Sequence, residues 1–301
     1  MTTSAPGRIT LTANRISLRD RWVRAHSGIM YCICVGFAAI ILLVLALVVG
    51  YLISIGIRSM NWALFTQSPI PPGMHGYPGG MAHAIVGTVV LVGLASMAGL
   101  PVGLLTGIYL AEYDAKSRLA APVRFVADVL AGVPSIVVGI LGYELLVVPL
   151  GHYNGWAGAM ALAFIMIPIV ARTTEEMLRL VPGSYREAAM ALGATKARAV
   201  LGIVVPAASG SIITGVMLSI ARVAGETAPL LFTALGSRLF SINPNEPFPS
   251  LTVQIFTYAT GPYPEQKREA WAGILVLISL IFLLNLGVRY FTRPRKRAFR
   301  Q

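Results

Sequence analysis

Charge-free runs set the pattern of this chain. From Ile29 to Ile57 no charged residue occurs, and about 20 mostly apolar residues are enough for an α-helix to cross the hydrocarbon core of a bilayer. Further apolar runs cover roughly 82–111, 125–148, 155–171, 207–235 and 271–291. Gly and Pro recur inside several of them, which membrane helices tolerate because neighbouring helices re-satisfy the freed backbone groups. The pattern predicts six spanning helices and an all-α, polytopic membrane protein. Asp128, Glu144, Arg222 and Glu226 interrupt the third and fifth runs, so those spans are better defined in existence than in extent. The first run exceeds the apolar core of a signal peptide, and no small-residue cleavage site follows it. It is therefore expected to stay as an anchor.

Composition agrees with lipid as the main solvent. The chain is 56% hydrophobic and 12% charged, against about 25% charged in soluble domains. Its net charge is +12, and the placement of the basic residues is informative. With six spans both termini share one side, and that side collects nineteen of the 24 Lys and Arg residues. They comprise the amino-terminal arm (Arg8, Arg15, Arg19, Arg21, Arg24), then Lys116, Arg118 and Arg124, the stretch from Arg172 to Arg198, and the tail from Arg289 to Arg300. The other side has Arg58, Arg238, Lys267 and Arg268. Basic residues concentrate in cytoplasmic segments, so both termini are expected in the cytoplasm. The chain then reads as a basic arm (1–28), a transmembrane domain (29–291) containing a cytoplasmic loop (172–206), and a basic tail (292–301). The charge is read as topology and contact with a lipid bilayer. Nucleic acid is not an expected partner, because stacking platforms and a soluble recognition domain are both missing. Cys32 and Cys34 sit one residue apart in the first run and are expected as buried free thiols, with no metal site.

The loop from Arg172 to Pro206 has organised local chemistry. Pro182-Gly183 breaks the preceding helix, and Ser184 followed by Glu187 has the form of a capping box. Ala188 to Leu192 favour helix, and Gly193 supplies a position where the chain can turn sharply. Thr195 can cap a further helix running through Pro206 into the fifth span. Small residues such as Ala188 and Ala189 would let a partner approach the first helix, and Tyr185, Arg186 and Glu187 would offer polar contacts. Docking of a partner and an amphipathic helix lying on lipid both fit this pattern.

In the fifth span, Ser211, Gly215, Ser219, Arg222 and Glu226 fall within an arc of about 80° on a helix of 3.6 residues per turn. An Arg or Asp at a membrane-helix centre costs roughly 2.5–3.5 kcal/mol on insertion scales, and four-residue spacing lets Arg222 and Glu226 pair. Such a stripe can line a water-filled path in which Arg222 attracts an anion. It can equally form a tight helix-packing seam. Arg172 serves as a topology anchor or a further path residue. Asp128 is expected to pair with Arg124, Glu144 to lie near the outer surface, and His83 to be interfacial. Gly99, Gly103 and Gly107 in the second span favour close packing. The outer segments 67–80, with Met74 and His75, and 236–270 offer a surface for a substrate-binding protein.

Glu187-Ala188-Ala189, Gly193 and Ile203-Val204-Val205-Pro206 at their fixed spacing resemble the EAA loop of ABC importer permeases. Val205 departs mildly from the usual Leu. That resemblance implies a coupling helix over Ser184 to Gly193, docked on an ATPase subunit. The segment Ala221-Arg222-Val223-Ala224-Gly225-Glu226-Thr227-Ala228-Pro229 is similar to the hallmark of the PstA-type permeases of phosphate-specific ABC importers, and Ala131 to Gly139 and Arg172-Thr173-Thr174-Glu175 are similar to further stretches. The resemblance implies a type I ABC importer permease fold in the bacterial inner membrane, and a phosphate path through Arg222 and Glu226. It also implies a second homologous permease subunit, two ATPase subunits and an extracytoplasmic phosphate-binding protein. No G-x-x-x-x-G-K-[ST] phosphate loop occurs in the chain, so it is expected to be no enzyme and to carry no cofactor, with ATP bound by the partner ATPase. A permease for molybdate, sulfate or an amino acid is the alternative. A lipid phosphatase would need a catalytic constellation near one membrane face, which the four histidines do not form.

Overall fold

The computed structural model describes residues 18–70, 79–113 and 117–291. The expectations for Arg8, Arg15, Lys116, Met74, His75 and the tail 292–301 lie outside the described residues. Two units divide the chain, 1–53 and 54–301. In the first, the described residues belong to one helix, α1 (Leu18–Ser59), whose side chains from 29 to 51 are exposed. Cys32 and Cys34 are free, as expected, but exposed and not buried.

The second unit holds the remaining helices: α2 (Ala63–Thr66), α3 (Ala82–Glu112), α4 (Ala120–Gly132), α5 (Ser135–Gly142), α6 (Val148–Leu150), α7 (Gly155–Arg179), α8 (Gly183–Ala191), α9 (Lys196–Ala199), α10 (Val205–Ala224), α11 (Ala228–Thr233), α12 (Leu251–Thr260) and α13 (Pro264–Phe291). Among the described residues, five helical stretches are long and apolar enough to cross a membrane: His26–Ser59, Ala82–Glu112, Gly155–Arg179, Lys196–Ala224 and Pro264–Val288. A sixth is a bent pair, Ala120–Gly132 with Ser135–Leu150. Each of the six expected runs thus contains helix, though the third and fifth are interrupted.

At the centre, α3 packs on α7 through the three glycines picked out by their spacing. A Cβ on Gly99 would stand 3.2 Å from Met166, one on Gly103 2.8 Å from Val170, and one on Gly107 2.5 Å from the Ala171 carbonyl oxygen. Lipid tails are as apolar as Leu, so burying apolar surface gives little drive to pair helices in a bilayer. Small residues that bring backbones together supply packing instead. Around this seam lies a core of Leu91, Ala95, Leu162, Met166, Val170, Val223, Leu230 and Phe248.

Three segments depart from the expected spans. The third bends by 104° at Val133 and Pro134, where Val133 is extended (φ −68°, ψ 130°). Proline disfavours helical geometry in the residue before it and has no N–H to continue the ladder. The fifth ends at Ala224 instead of running to 235. Gly225 closes the helix, and Pro229 near the start of α11 begins a separate turn. Of the expected surface segment 236–270, residues 238–247 are mostly exposed and 248–258 turn inward. Phe248, Leu251 and Tyr258 are almost fully buried, and the Leu251 N–H donates to the Thr88 hydroxyl at 2.8 Å. A Cβ on Gly87 would lie 2.1 Å from the Pro249 carbonyl oxygen, so α3 admits this segment only because position 87 is bare. His83, at the start of α3, is buried beside it and not interfacial.

Two π-helical turns, Tyr143–Val147 and Val200–Val204, each end two residues before a proline, Pro149 and Pro206. A ring inside a helix removes one hydrogen bond and crowds the carbonyl four residues back, and widening the preceding turn relieves both. Lys196 to Ala224 therefore stays one continuous rod despite Pro206, as the sequence leads one to expect.

Candidate functional site

The polar stripe of α10 divides in two. Gly215 and Ser219 are buried, and a Cβ at 215 would lie 2.1 Å from Thr173 Cγ2 of α7. The Ser219 hydroxyl donates within its own helix to the Val216 carbonyl at 2.8 Å. Both positions, expected along a substrate path, are buried within the chain, and Gly215 is where α10 meets α7. Ser211 is exposed at the opposite end of the stripe.

Arg222 and Glu226 differ from them. Glu226 lies beyond the end of α10, held by its N–H on the Val223 carbonyl at 3.1 Å. The Arg222 Nε to Glu226 Oε1 distance is 3.7 Å, with the Arg side chain 58% exposed and the Glu 15%. At 1.5 Å per residue, Arg222 stands about 10 Å along the rod from Gly215. Gly215 touches Thr173, while Leu230 and Ala234 stand beside Gly158. Arg222 is therefore about level with Met166, midway along α7. The Thr252 hydroxyl donates to the Glu226 carbonyl at 2.9 Å, so buried α12 supports the turn that carries the pair.

Arg172 is engaged at the other end of α7. Its Nε meets Asp128 at 2.9 Å and its Nη1 meets Glu175 at 3.0 Å. Asp128 thus pairs with Arg172. Arg124 reaches Glu175 at 2.8 Å, and Arg179 reaches it at 2.9 Å. Glu175, with a side chain 3% exposed, is the hub of three arginines joining α4 to α7. Its i,i+3 and i,i+4 spacing to Arg172 and Arg179 was visible in the sequence; Arg124, 51 residues away, was not.

In the loop 172–206, the residues expected to couple to an ATPase are arranged as follows. Helix α8 starts at Gly183 with Pro182 as its cap residue and no side-chain cap bond, so Ser184 and Glu187 do not form the expected capping box. Ser184, Tyr185, Glu187 and Ala188 are exposed, and Ala189 is buried. Gly193 is left-handed (φ +83°). Its N–H donates to Met190 at 2.9 Å and that of Ala194 to Ala189 at 3.1 Å, the paired bonds of a Schellman stop. Thr195 accepts from the Arg198 N–H at 3.4 Å and caps the next helix as expected. Tyr185, Met190 and Leu192 are exposed, Leu192 at 90%. Arg186 does not point outward with them. It turns in to Glu112, the last residue of α3, with Nη2 to Oε1 at 2.6 Å and Nε to Oε1 and Oε2 at 2.9 and 3.1 Å.

Residues 99–297 match the family described as the binding-protein-dependent transport system inner membrane component. The chain belongs to this family. Its members are inner-membrane permeases that work with an ATPase and a substrate-binding protein. Among individual relatives, the chain is 47% identical over 241 residues to the phosphate transport system permease protein PstA of Yersinia pestis, covering 80% of this chain and 81% of that one. It is 42% identical over 280 residues to PstA of Haemophilus influenzae, covering 93% and 98%. The fold is shared with a chain of the MetNI methionine ABC transporter in inward-facing conformations, at TM-score 0.54 and 20% identity, over 70% of this chain and 94% of that one. The architecture is that of a type I ABC importer permease.

Proposed function

We propose that this chain is the permease subunit of an ATP-driven phosphate importer, forming one half of the translocation path. The observation that carries the reading is Arg222. Its guanidinium is more than half exposed at mid-length of a membrane bundle, where an uncovered charge is costly unless it faces water or a partner. The planar fork of Arg matches the oxygens of a phosphate anion, and Glu226 accepts a hydrogen bond from a protonated oxygen of the same anion. Relatives named as phosphate permeases, alike over most of their length, support this choice of anion.

In this reading a second, homologous permease subunit faces Arg222 and completes the path. Two ATPase subunits bind ATP and dock on α8, where Tyr185, Met190 and Leu192 are presented. A phosphate-binding protein delivers the anion from the extracytoplasmic side, and both termini lie in the cytoplasm. The domain limits are those of the sequence: arm 1–28, permease domain 29–291 with its coupling loop 172–206, and tail 292–301. Gly215 and Ser219 set the position of Arg222 by seating α10 on α7, and Arg172 joins the ion network at the coupling-loop end.

The test is uptake of labelled phosphate by the complete complex in vesicles. Arg222→Gln, with normal insertion and assembly, is expected to abolish uptake, and sulfate or molybdate in excess to compete poorly. Uptake at the normal rate by this variant would return the pair to a packing role, and strong competition would reassign the substrate.

A further inference from the structure

We infer that Glu112 is the positioning residue through which the coupling loop drives the transmembrane bundle. The inference rests on the proposal that α8 docks the ATPase and deepens it: it names the link between docking surface and membrane helices.

Both arms of the coupling loop converge on this one residue. From α8, Arg186 grips the Glu112 carboxylate with both Nε and Nη2. From α9, Lys196 donates to the Glu112 main-chain carbonyl, and its ammonium lies 4.3 Å above the centre of the adjoining Tyr113 ring. That carbonyl is one of the orphan acceptors at a helix C-terminus, where a cation is doubly favoured. Arg186 also donates to the Val181 carbonyl at 2.8 Å and the Leu178 carbonyl at 2.9 Å, which ties the end of α7 into the same knot. The Glu112 carboxylate is almost entirely buried, and Arg186 is 22% exposed.

The mechanical consequence follows from the geometry. Arg186 sits one position before Glu187, on the inward side of the helix with buried Ala189, while Ser184, Glu187 and Ala188 line the exposed side. A displacement of α8 by its partner therefore acts on Glu112 through two parallel hydrogen bonds, not through a flexible linker. From Glu112 the motion enters α3, and the Gly99, Gly103 and Gly107 seam passes it to α7.

The experiment uses the complete complex in vesicles and reads three quantities: retention of the ATPase subunit, ATP hydrolysis, and phosphate uptake per ATP hydrolysed. Glu112→Gln removes the charge while leaving Arg186 its two carbonyl partners. It is expected to keep the ATPase bound and hydrolysing, with uptake per ATP reduced about tenfold. The conservative variant Glu112→Asp keeps the charge that Arg186 grips and is expected to recover part of that loss. Uptake per ATP within twofold of normal for Glu112→Gln would overturn the inference. So would loss of the ATPase from that variant, which would make Glu112 part of the docking surface's folding and not of transmission. A separate variant, Leu192→Asp, is expected to release the ATPase; if it does not, the docking proposal itself fails. If it does while Glu112→Gln stays coupled, only the role of Glu112 fails.

Discussion

Arg186 meets Glu112 across 74 residues of chain, whereas Arg222 meets Glu226 across four. The distant pair is bidentate, with a contact of 2.6 Å and an almost fully buried carboxylate. The local pair is a single approach of 3.7 Å with its guanidinium largely open. All three nitrogens of Arg186 are engaged by protein, so a ligand that claims its fork breaks the knot at the end of α3. Among the described residues, Arg222 meets only Glu226, through Nε at 3.7 Å, and most of its fork is left open. In the proposals made above, the same two side-chain types make a mechanical joint in one place and an anion receptor in the other, and saturation of the arginine separates the two roles.

The largest effect expected from this contrast is on stability. Arg186→Ala strands a buried carboxylate and removes the side-chain donor from the Val181 carbonyl, and breaking a buried pair from one side costs about 3–5 kcal/mol. The same truncation at Arg222 removes a loose, exposed contact of the kind worth about 0–1 kcal/mol. Thermal unfolding of the purified complex should show a large drop for the first and almost none for the second. Neutralising both partners, Arg186→Gln with Glu112→Gln, should cost much less than Arg186→Ala, because no charge remains buried alone. Equal losses at the two arginines would erase the distinction.

Uptake should rank the same two sites in the opposite sense. A hydrogen bond to a charged group contributes about 1.5–3 kcal/mol, or roughly tenfold to a hundredfold in rate where it is made in the limiting step. Arg222→Ala should therefore lower phosphate uptake about a hundredfold in a normally folded complex. Arg222→Lys keeps the charge and loses the fork, so its loss should be nearer tenfold. If Lys and Ala were equally inactive, geometry and not charge would define the receptor.

This contrast was only half visible in the amino-acid sequence. Arg222 and Glu226 are near neighbours in an apolar run, so their spacing and their cost in lipid mark them at once. Arg186 was misassigned because local rules see only local partners. Ser184 and Glu187 look like a capping box, and nothing near them reveals that Glu112 sits at the end of another helix. Glu175 was underrated for the same reason, since Arg124 comes from α4. Hydropathy identified every spanning run, because it sums composition over about 20 residues. That summation is blind to direction, which is why the bend at Val133 and Pro134, the stop at Gly225 and the inward course of Phe248 to Tyr258 emerged only in three dimensions. The turn at Gly193 was read correctly because backbone conformation is a local property.

The smallest expected effect lies at that turn, and it tests whether the coupling loop acts by its shape or by its surface. Gly193 has φ +83°, and a Cβ there would meet nothing within 4 Å, so the chain itself exerts no steric demand for a bare position. Substituting Ala then costs only the conformational penalty of a left-handed L-residue, about 1–2 kcal/mol, while Asn, which tolerates this region, costs less. Asn is the larger side chain, so the two substitutions separate conformation from bulk. If ATP hydrolysis and uptake are coupled better in Gly193→Asn than in Gly193→Ala, the loop's fold is what matters and its joint at Glu112 does the transmitting. If Asn is the worse of the two, volume at position 193 is being read by whatever docks there. The open space around Gly193 would then be a contact surface of the same kind as Leu192.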